Sequence, residues 1–523
     1  MTRNTRIILE EQKSDFTYQK NKSNLNINFN RIAFIFFIFF FISLIYSIHL
    51  IHLGSRQEKI ENKNEIKLPF NNLYRADILD RNGKYLVKTV SSIDIGISSK
   101  KVIDKKRLLL NLKYIFPDKN HEKIKSQLAN KNFFYIEKKI SDENYEKIMQ
   151  LGDKSIQPEE KLIRIYPEKN LFSHILGQID DDNNGISGLE KSLDNYLKDS
   201  QKPLKLTVDA DIQYLVRNEL LKFNQIFKAK GSAAILMNVN TGEIISLVSL
   251  PDFDPNKRQK ILDVNFINRA TKGVYEFGSV FKTFTLAAGF DEGIIKPNTN
   301  FLNLPKSLNC AGYVIREYDD KIPANLTAEQ ILIRSGNIGS VRISQKIGVE
   351  KFKIFLSKLG LLETINFDIE EVGKPIKFNW GKCPLATASF GHGITTTLLQ
   401  LAKAYSIIVN GGFYIEPSLI KKNIKKKERI LNKDVSQIIL PILRKIVTTK
   451  EGTASLANVN GYEIGGKTGT AQKSLGGFYS KKKINTFVSI FPTSKPKFVF
   501  AVMLDEPKTN KDYIYHYRDG TNT

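Results

Sequence analysis

The chain is poor in the residues that most often announce chemistry. It has two cysteines in 523 residues, Cys310 and Cys383, which excludes a disulfide framework. The pair could join in an oxidising compartment, but the sequence favours reading both as ordinary packed residues. Six histidines (His49, His52, His121, His174, His392 and His516) show no metal-ligand spacing, so no metal and no other cofactor is expected. Acidic residues are also few: 54 against 79 Lys and Arg, a net charge of +25. Such a balance can mark a nucleic-acid binder. Here lysine is scattered along the whole length, with no zinc-finger spacing and no helix-turn-helix pattern. No nucleic acid is predicted as a partner, and a basic exterior would favour anionic membrane surfaces and polymers.

Long runs that are both uncharged and strongly apolar are absent with one exception. Residues 1–31 are polar and read as a disordered tail, and Ile32 to Leu53 then carries no charge and is rich in Phe and Ile. At about 1.5 Å per residue its length is roughly 33 Å, enough for a hydrocarbon core of about 30 Å. A cleaved signal peptide would have a shorter apolar region and a small-x-small site, and neither is present. Residues 32–53 therefore read as one uncleaved transmembrane signal anchor. His49 and His52 lie near its boundary and are expected to be interfacial.

What is present centres on Tyr275-Glu276-Phe277-Gly278-Ser279-Val280-Phe281-Lys282. Gly278 can supply an awkward backbone angle. The apolar residues that follow have helical spacing, placing Ser279 in the first turn of a buried helix. Positions i and i+3 share a helix face, so Ser279 and Lys282 should point at one spot. A serine becomes a nucleophile when a base takes its proton, and a lysine is that base only if burial and positive surroundings lower its pKa. The lysine-rich composition also supplies Ser98-x-x-Lys101, Ser418-x-x-Lys421 and Ser480-x-x-Lys483, none of which opens a long apolar helix.

Two further elements follow in order. Ser335-Gly336-Asn337 is flanked by small residues, and Lys467-Thr468-Gly469 occurs once, preceded by Gly465-Gly466 and followed by Thr470. S-x-x-K, S-x-N and K-T-G in that order resemble the signature of penicillin-binding proteins and serine β-lactamases. The resemblance extends over roughly residues 70–507. It includes Arg75-Ala76-Asp77-Ile78-Leu79-Asp80-Arg81-Asn82-Gly83, Arg164-Ile165-Tyr166-Pro167, Gly185-Ile186-Ser187-Gly188-Leu189-Glu190, the turn around Asn240-Thr241-Gly242 and Phe390-Gly391-His392-Gly393.

The resemblance implies a class B penicillin-binding protein, most similar to the cell-division type. An α/β transpeptidase domain at 203–523 would have an antiparallel sheet with helices on both faces and a helical subdomain. An α+β pedestal at 54–202 would precede it, too short for the glycosyltransferase domain of bifunctional relatives. By the same resemblance Ser279 is the nucleophile and Lys282 its base. Ser335, hydrogen-bonded between two lysines, would relay a proton, and Asn337 would orient Lys282 and the substrate amide. Lys467 would hold positive potential, while Thr468, Gly469 and Thr470 bind the substrate carboxylate. The oxyanion would meet the N–H groups of Ser279 and Thr470. The implied partners are stem peptides ending in D-Ala-D-Ala, β-lactams, the inner membrane, a membrane glycosyltransferase and division proteins. The N-terminus would be cytoplasmic and the bulk periplasmic.

A β-lactamase would need a general base to hydrolyse its acyl-enzyme, and no glutamate loop suited to that is found. The family's catalytic domain normally continues into a C-terminal helix over the sheet. The polar run Tyr513 to Gly520 near the end of this sequence therefore predicts a truncated chain or fragment.

Overall fold

The computed structural model describes residues 22–55, 74–257, 263, 266–310, 312–422, 428–475 and 478–510. The chain divides into two units, Met1–Asn71 and Asn72–Thr523. In the first, the described part is one helix, Lys22–Ser55. It begins before the apolar run: residues 22–31, expected in a disordered tail, continue the helix, and no Pro or Gly between Lys22 and Arg31 interrupts it. Residues 1–21 of that predicted tail lie outside the described residues. Within the helix, Ala33–Ile51 has mean hydropathy 2.5 and is long and apolar enough to cross a membrane.

The second unit opens with a five-stranded sheet. Strand β2 (Tyr85–Ser98) is its spine, pairing antiparallel with β1 (Ile78–Leu79), β3 (Phe133–Glu137) and β4 (Ile156–Ile165). Strand β5 (Leu204–Lys205) lies parallel to β1. Period-two alternation turns Ile95 and Ile97 inward. They pack on the apolar faces of three helices: Leu108 and Leu112 from Lys105–Ile115, Ile124 and Leu128 from His121–Asn130, and Ile148 from Asp142–Met149. Each helix starts at a polar side chain that accepts backbone N–H groups, namely Asp104, Asn120 and Ser141.

Beside this lobe the Arg75 guanidinium is fully buried. It donates to Glu190 Oε2 at 2.6 Å and to Asp194 Oδ1 at 2.7 Å, while Arg164 Nε donates to Glu190 Oε1 at 2.8 Å. The family-like segments around 75, 164 and 190 thus meet at one ion network.

The second sheet has the order β12-β13-β14-β6-β7, antiparallel throughout. Its strands are β6 (Gly231–Asn238), β7 (Ile244–Leu250), β12 (Gly465–Leu475), β13 (Phe478–Phe491) and β14 (Phe498–Asp505). The early hairpin and the late strands join in one antiparallel sheet through β6 and β14. One face, with Ala234, Val248 and Leu250, packs on the Ala210–Ile226 helix; the other, with Ala233, Ile235, Val499 and Ala501, enters the main core. That core contains the Leu398–Val409 helix, every residue of which is buried. Between the early and late strands lie helices, a short pair β8 (Asn300–Phe301) with β11 (Leu326–Thr327), and a hairpin of β9 (Ser307–Cys310) with β10 (Tyr313–Arg316). The predicted end of the domain, at 513–520, lies outside the described residues.

One expectation is corrected here. Cys310 and Cys383 are joined as a disulfide with Cα atoms 5.6 Å apart. It ties β9 to the Lys382–Ala388 helix. Their sequence separation of 73 gave no hint of that proximity.

Candidate active site

Gly278 opens a single 3-10 turn, Gly278–Phe281, that runs directly into the Lys282–Asp291 helix. Ser279 thus sits in a tighter turn than the α-helical one expected, with the same consequence, since side chains at i and i+3 eclipse in a 3-10 turn. The turn lies against β12 with almost no room between backbones. Gly278 has φ +60°, and a Cβ there would stand 2.4 Å from the Thr470 carbonyl oxygen; at Gly469 it would stand 2.3 Å from the Phe277 carbonyl oxygen. Ser279 is partly exposed, and Lys282 is fully buried.

Ser335 follows the Ala328–Ile333 helix and has φ +58°. Its Oγ accepts from Lys282 Nζ at 3.1 Å and from Lys467 Nζ at 2.9 Å. Lys282 also donates to the Ser335 carbonyl, and Lys467 to the Thr468 carbonyl at 3.0 Å. Three segments that are far apart in sequence therefore converge on one hydroxyl.

The two lysines are both fully buried. Burial lowers the Lys282 pKa to about 7, against a smaller opposing effect of the Glu317 carboxylate. Burial, then the charge of Lys282, pushes Lys467 well below its ordinary 10.5. Two ammoniums on one hydroxyl in a dry site repel each other, so the pair carries fewer than two charges. The positive potential expected of Lys467 is thus weakened.

The remaining predicted residues are placed less uniformly. Thr468 and Thr470 lie on the face of β12 opposite to Lys467 and Gly469. The Thr468 hydroxyl is 2.8 Å from that of Thr453. Asn337 starts the Asn337–Ile347 helix beside Ser335, but its amide donates to the Arg316 carbonyl at 2.8 Å rather than to Lys282. The three decoy serines lie elsewhere: Ser98 ends β2, Ser480 is on β13, and Ser418 is buried with its hydroxyl on Asp368 at 2.7 Å.

Two groups near the lysines carried no readable motif role. Glu317 accepts from the backbone N–H groups of Asn337 and Ile338. His392 packs at a tilt against Phe390 and Tyr479, with ring centroids at 5.2 and 5.7 Å. Burial, with a contribution from Lys282, lowers its pKa to about 4. The Phe390–Gly393 stretch flagged it only as a landmark. Among the described residues no cluster of three or more His, Cys, Asp or Glu could hold a metal ion.

A nucleophile-bearing turn, a buried amine with lowered pKa and a hydroxyl shared by two lysines define a serine acyl-transfer site. The chain belongs to the penicillin-binding protein family. Residues 232–519 match the Penicillin binding protein transpeptidase domain, and residues 71–220 match the Penicillin-binding Protein dimerisation domain. Among its relatives is a probable peptidoglycan D,D-transpeptidase FtsI of Caulobacter vibrioides, 29% identical over 455 residues, covering 83% of this chain and 76% of the relative. Peptidoglycan D,D-transpeptidase FtsI of Buchnera aphidicola is 29% identical over 494 residues, covering 84% and 83%. Stage V sporulation protein D of Bacillus subtilis is 30% identical over 486 residues, covering 83% and 74%.

Proposed function

We propose that this protein is a peptidoglycan D,D-transpeptidase of the septal, cell-division class. The observation that carries the reading is the Ser335 hydroxyl held between Lys282 and Lys467, beside the turn that bears Ser279. Neutral Lys282 takes the Ser279 proton as Oγ attacks the carbonyl of the penultimate D-Ala. The oxyanion forms against the N–H groups of Ser279 and Thr470. Collapse breaks the D-Ala-D-Ala bond, and the leaving amine takes its proton through Ser335. An acceptor amine then attacks the Ser279 ester, loses a proton to Lys282, and releases the serine as the cross-link forms.

Thr468, Gly469 and Thr470 grip the substrate carboxylate, whose charge strengthens their hydrogen bonds and lets Lys467 protonate. Asn337 serves the substrate amide. β-Lactams mimic the D-Ala-D-Ala end, and their opened ring stays attached to Ser279. In this reading residues 54–202 form the pedestal, 203–523 the transpeptidase domain, and 32–53 a single-pass inner-membrane anchor with the catalytic domain in the periplasm. A membrane glycosyltransferase and other division proteins are its working partners.

The test is fluorescent-penicillin labelling of the purified chain beside Ser279→Ala. A stable adduct lost in the variant supports the reading; equal labelling of both proteins refutes it. Depletion in cells separates septal from elongation roles, with filaments expected and round cells contradicting the septal assignment.

A further inference from the structure

The Ser335 turn is held from outside by three consecutive residues at the end of β10, Arg316, Glu317 and Tyr318. The Arg316 carbonyl accepts the Asn337 amide at 2.8 Å. The Glu317 carboxylate accepts Asn337 N–H at 2.6 Å and Ile338 N–H at 3.0 Å. The Tyr318 hydroxyl donates to the Arg334 carbonyl at 3.0 Å. Residues 334–338 are thereby gripped on both sides of Ser335.

That grip has work to do. Ser335 adopts φ +58°, a left-handed conformation that a residue with a side chain holds only when its surroundings impose it. Gly336 N–H closes the preceding helix onto the Ile331 carbonyl at 2.9 Å, and the next helix starts at once without a side-chain cap from its own N-cap residue. Gly336 offers no side chain of its own to cap the first N–H groups. A Cβ on it would stand in ordinary contact with Glu317 Oε1, at 3.5 Å, so the carboxylate lies directly against this residue. A negative charge at a helix N-terminus is also favoured by the helix dipole.

We infer that Glu317 is a positioning residue of this site: its carboxylate fixes the Ser335–Ile338 turn and, among the described residues, lends buried Lys282 the one negative charge that acts on it. The inference rests on the transpeptidase reading. Three ionisable groups bear on Lys282: Lys467 from β12, His392 from the loop after the Lys382–Ala388 helix, and Glu317 from the end of the hairpin. His392 is neutral at neutral pH and Lys467 shares Lys282's sign, so Glu317 alone favours the protonated amine. Removing its charge therefore makes Lys282 neutral at lower pH.

The experiment measures the rate constant of fluorescent-penicillin acylation from about pH 5 to 9 for the full chain, Glu317→Asp and Glu317→Gln. Gln keeps one acceptor oxygen for the helix end, and a thermal melt is recorded for each variant. The expected acid limb of the profile moves to lower pH in the order Glu, Asp, Gln. The high-pH plateau of the Gln variant falls roughly tenfold as the turn loosens. Glu317→Asp withdraws the charge by one methylene and carries the test if the Gln variant does not fold. Profiles that share one acid limb overturn the inference, whatever happens to the plateau, since a purely structural role scales rates without moving that limb. No labelling of the unaltered chain at any pH overturns the transpeptidase reading as well.

Discussion

Gly278 and Thr470 touch backbone to backbone: a single methyl group on Gly278 would stand 2.4 Å from the Thr470 carbonyl oxygen. The nucleophile turn is thus registered on the strand that carries Lys467 by direct main-chain contact. Misplacement by even about 1 Å costs an acyl-transfer site around a hundredfold in rate. Gly278→Ala meets both this clash and its φ of +60°, so acylation by penicillin should fall at least that far. The same assay on a folded Gly278→Ala protein that retained normal acylation would show that the contact does not position Ser279.

A buried neutral amine makes the chemistry pH-dependent in a definite direction. Lys282 must be neutral to accept the Ser279 proton, and its pKa is about 7 in the folded protein. Acylation should therefore rise through pH 7 and flatten above it. Stability follows the same sign. Between about 7 and 10.5 the unfolded chain binds a proton at Lys282 that the folded chain does not, so stability increases with pH across that window. Denaturation at pH 7 and pH 9 checks the second statement, and Lys282→Met should flatten its slope.

Ser335 separates a backbone requirement from a chemical one. Its hydroxyl is shared by two lysines, while its φ of +58° suits glycine better than alanine. Ser335→Gly and Ser335→Ala should both lose transpeptidation, yet the Gly variant should be the more stable by about 1 kcal/mol. Melting curves of the pair read this directly. The reverse order would mean that the left-handed conformation is not retained in solution.

The local motifs were readable because each encodes its own geometry. Gly278, Ser279 and Lys282 lie along one turn, and the glycines beside Lys467 and Thr468 suit a strand whose backbone a ligand approaches closely. What joins the motifs was not readable. That Ser335 lies between two lysines came from family likeness, since no spacing in the sequence contains it. Glu317 caps a helix from across a hairpin rather than from the residue before it, so no capping pattern marks it. Asn337 was expected to orient Lys282 and the substrate amide, and its own amide nitrogen donates to the Arg316 carbonyl, a partner no spacing in the sequence indicates. The disulfide escaped for a like reason, since pairing depends on where β9 lies in the folded chain.

The Arg75–Glu190–Arg164 network should behave as a structural unit. Glu190 is fully buried and takes a guanidinium on each oxygen. Glu190→Ala leaves two buried guanidiniums without it and should destabilise the protein by about 3–5 kcal/mol. The folded fraction should still be acylated, because no residue of the network reaches the lysine pair. Chemical denaturation combined with penicillin labelling at low temperature tests both parts. A stable but unreactive variant would show instead that the network transmits to the catalytic groups.

The Cys310–Cys383 bond holds the hairpin from which Glu317 extends. Closing a loop of 73 residues restricts the unfolded chain by about 4 kcal/mol on a chain-entropy basis, so reduction should lower the melting temperature. Cys310→Ser should melt at the reduced protein's temperature and should not respond to reductant. The consequence for the site is local. With β9 released, the carboxylate on Asn337 and Ile338 N–H loses its fixed support, and those two amides should exchange with solvent faster than the rest of the Asn337–Ile347 helix. Unchanged exchange at both amides after reduction would mean that the clamp around Ser335 holds itself, and that the disulfide stabilises the fold without serving the site.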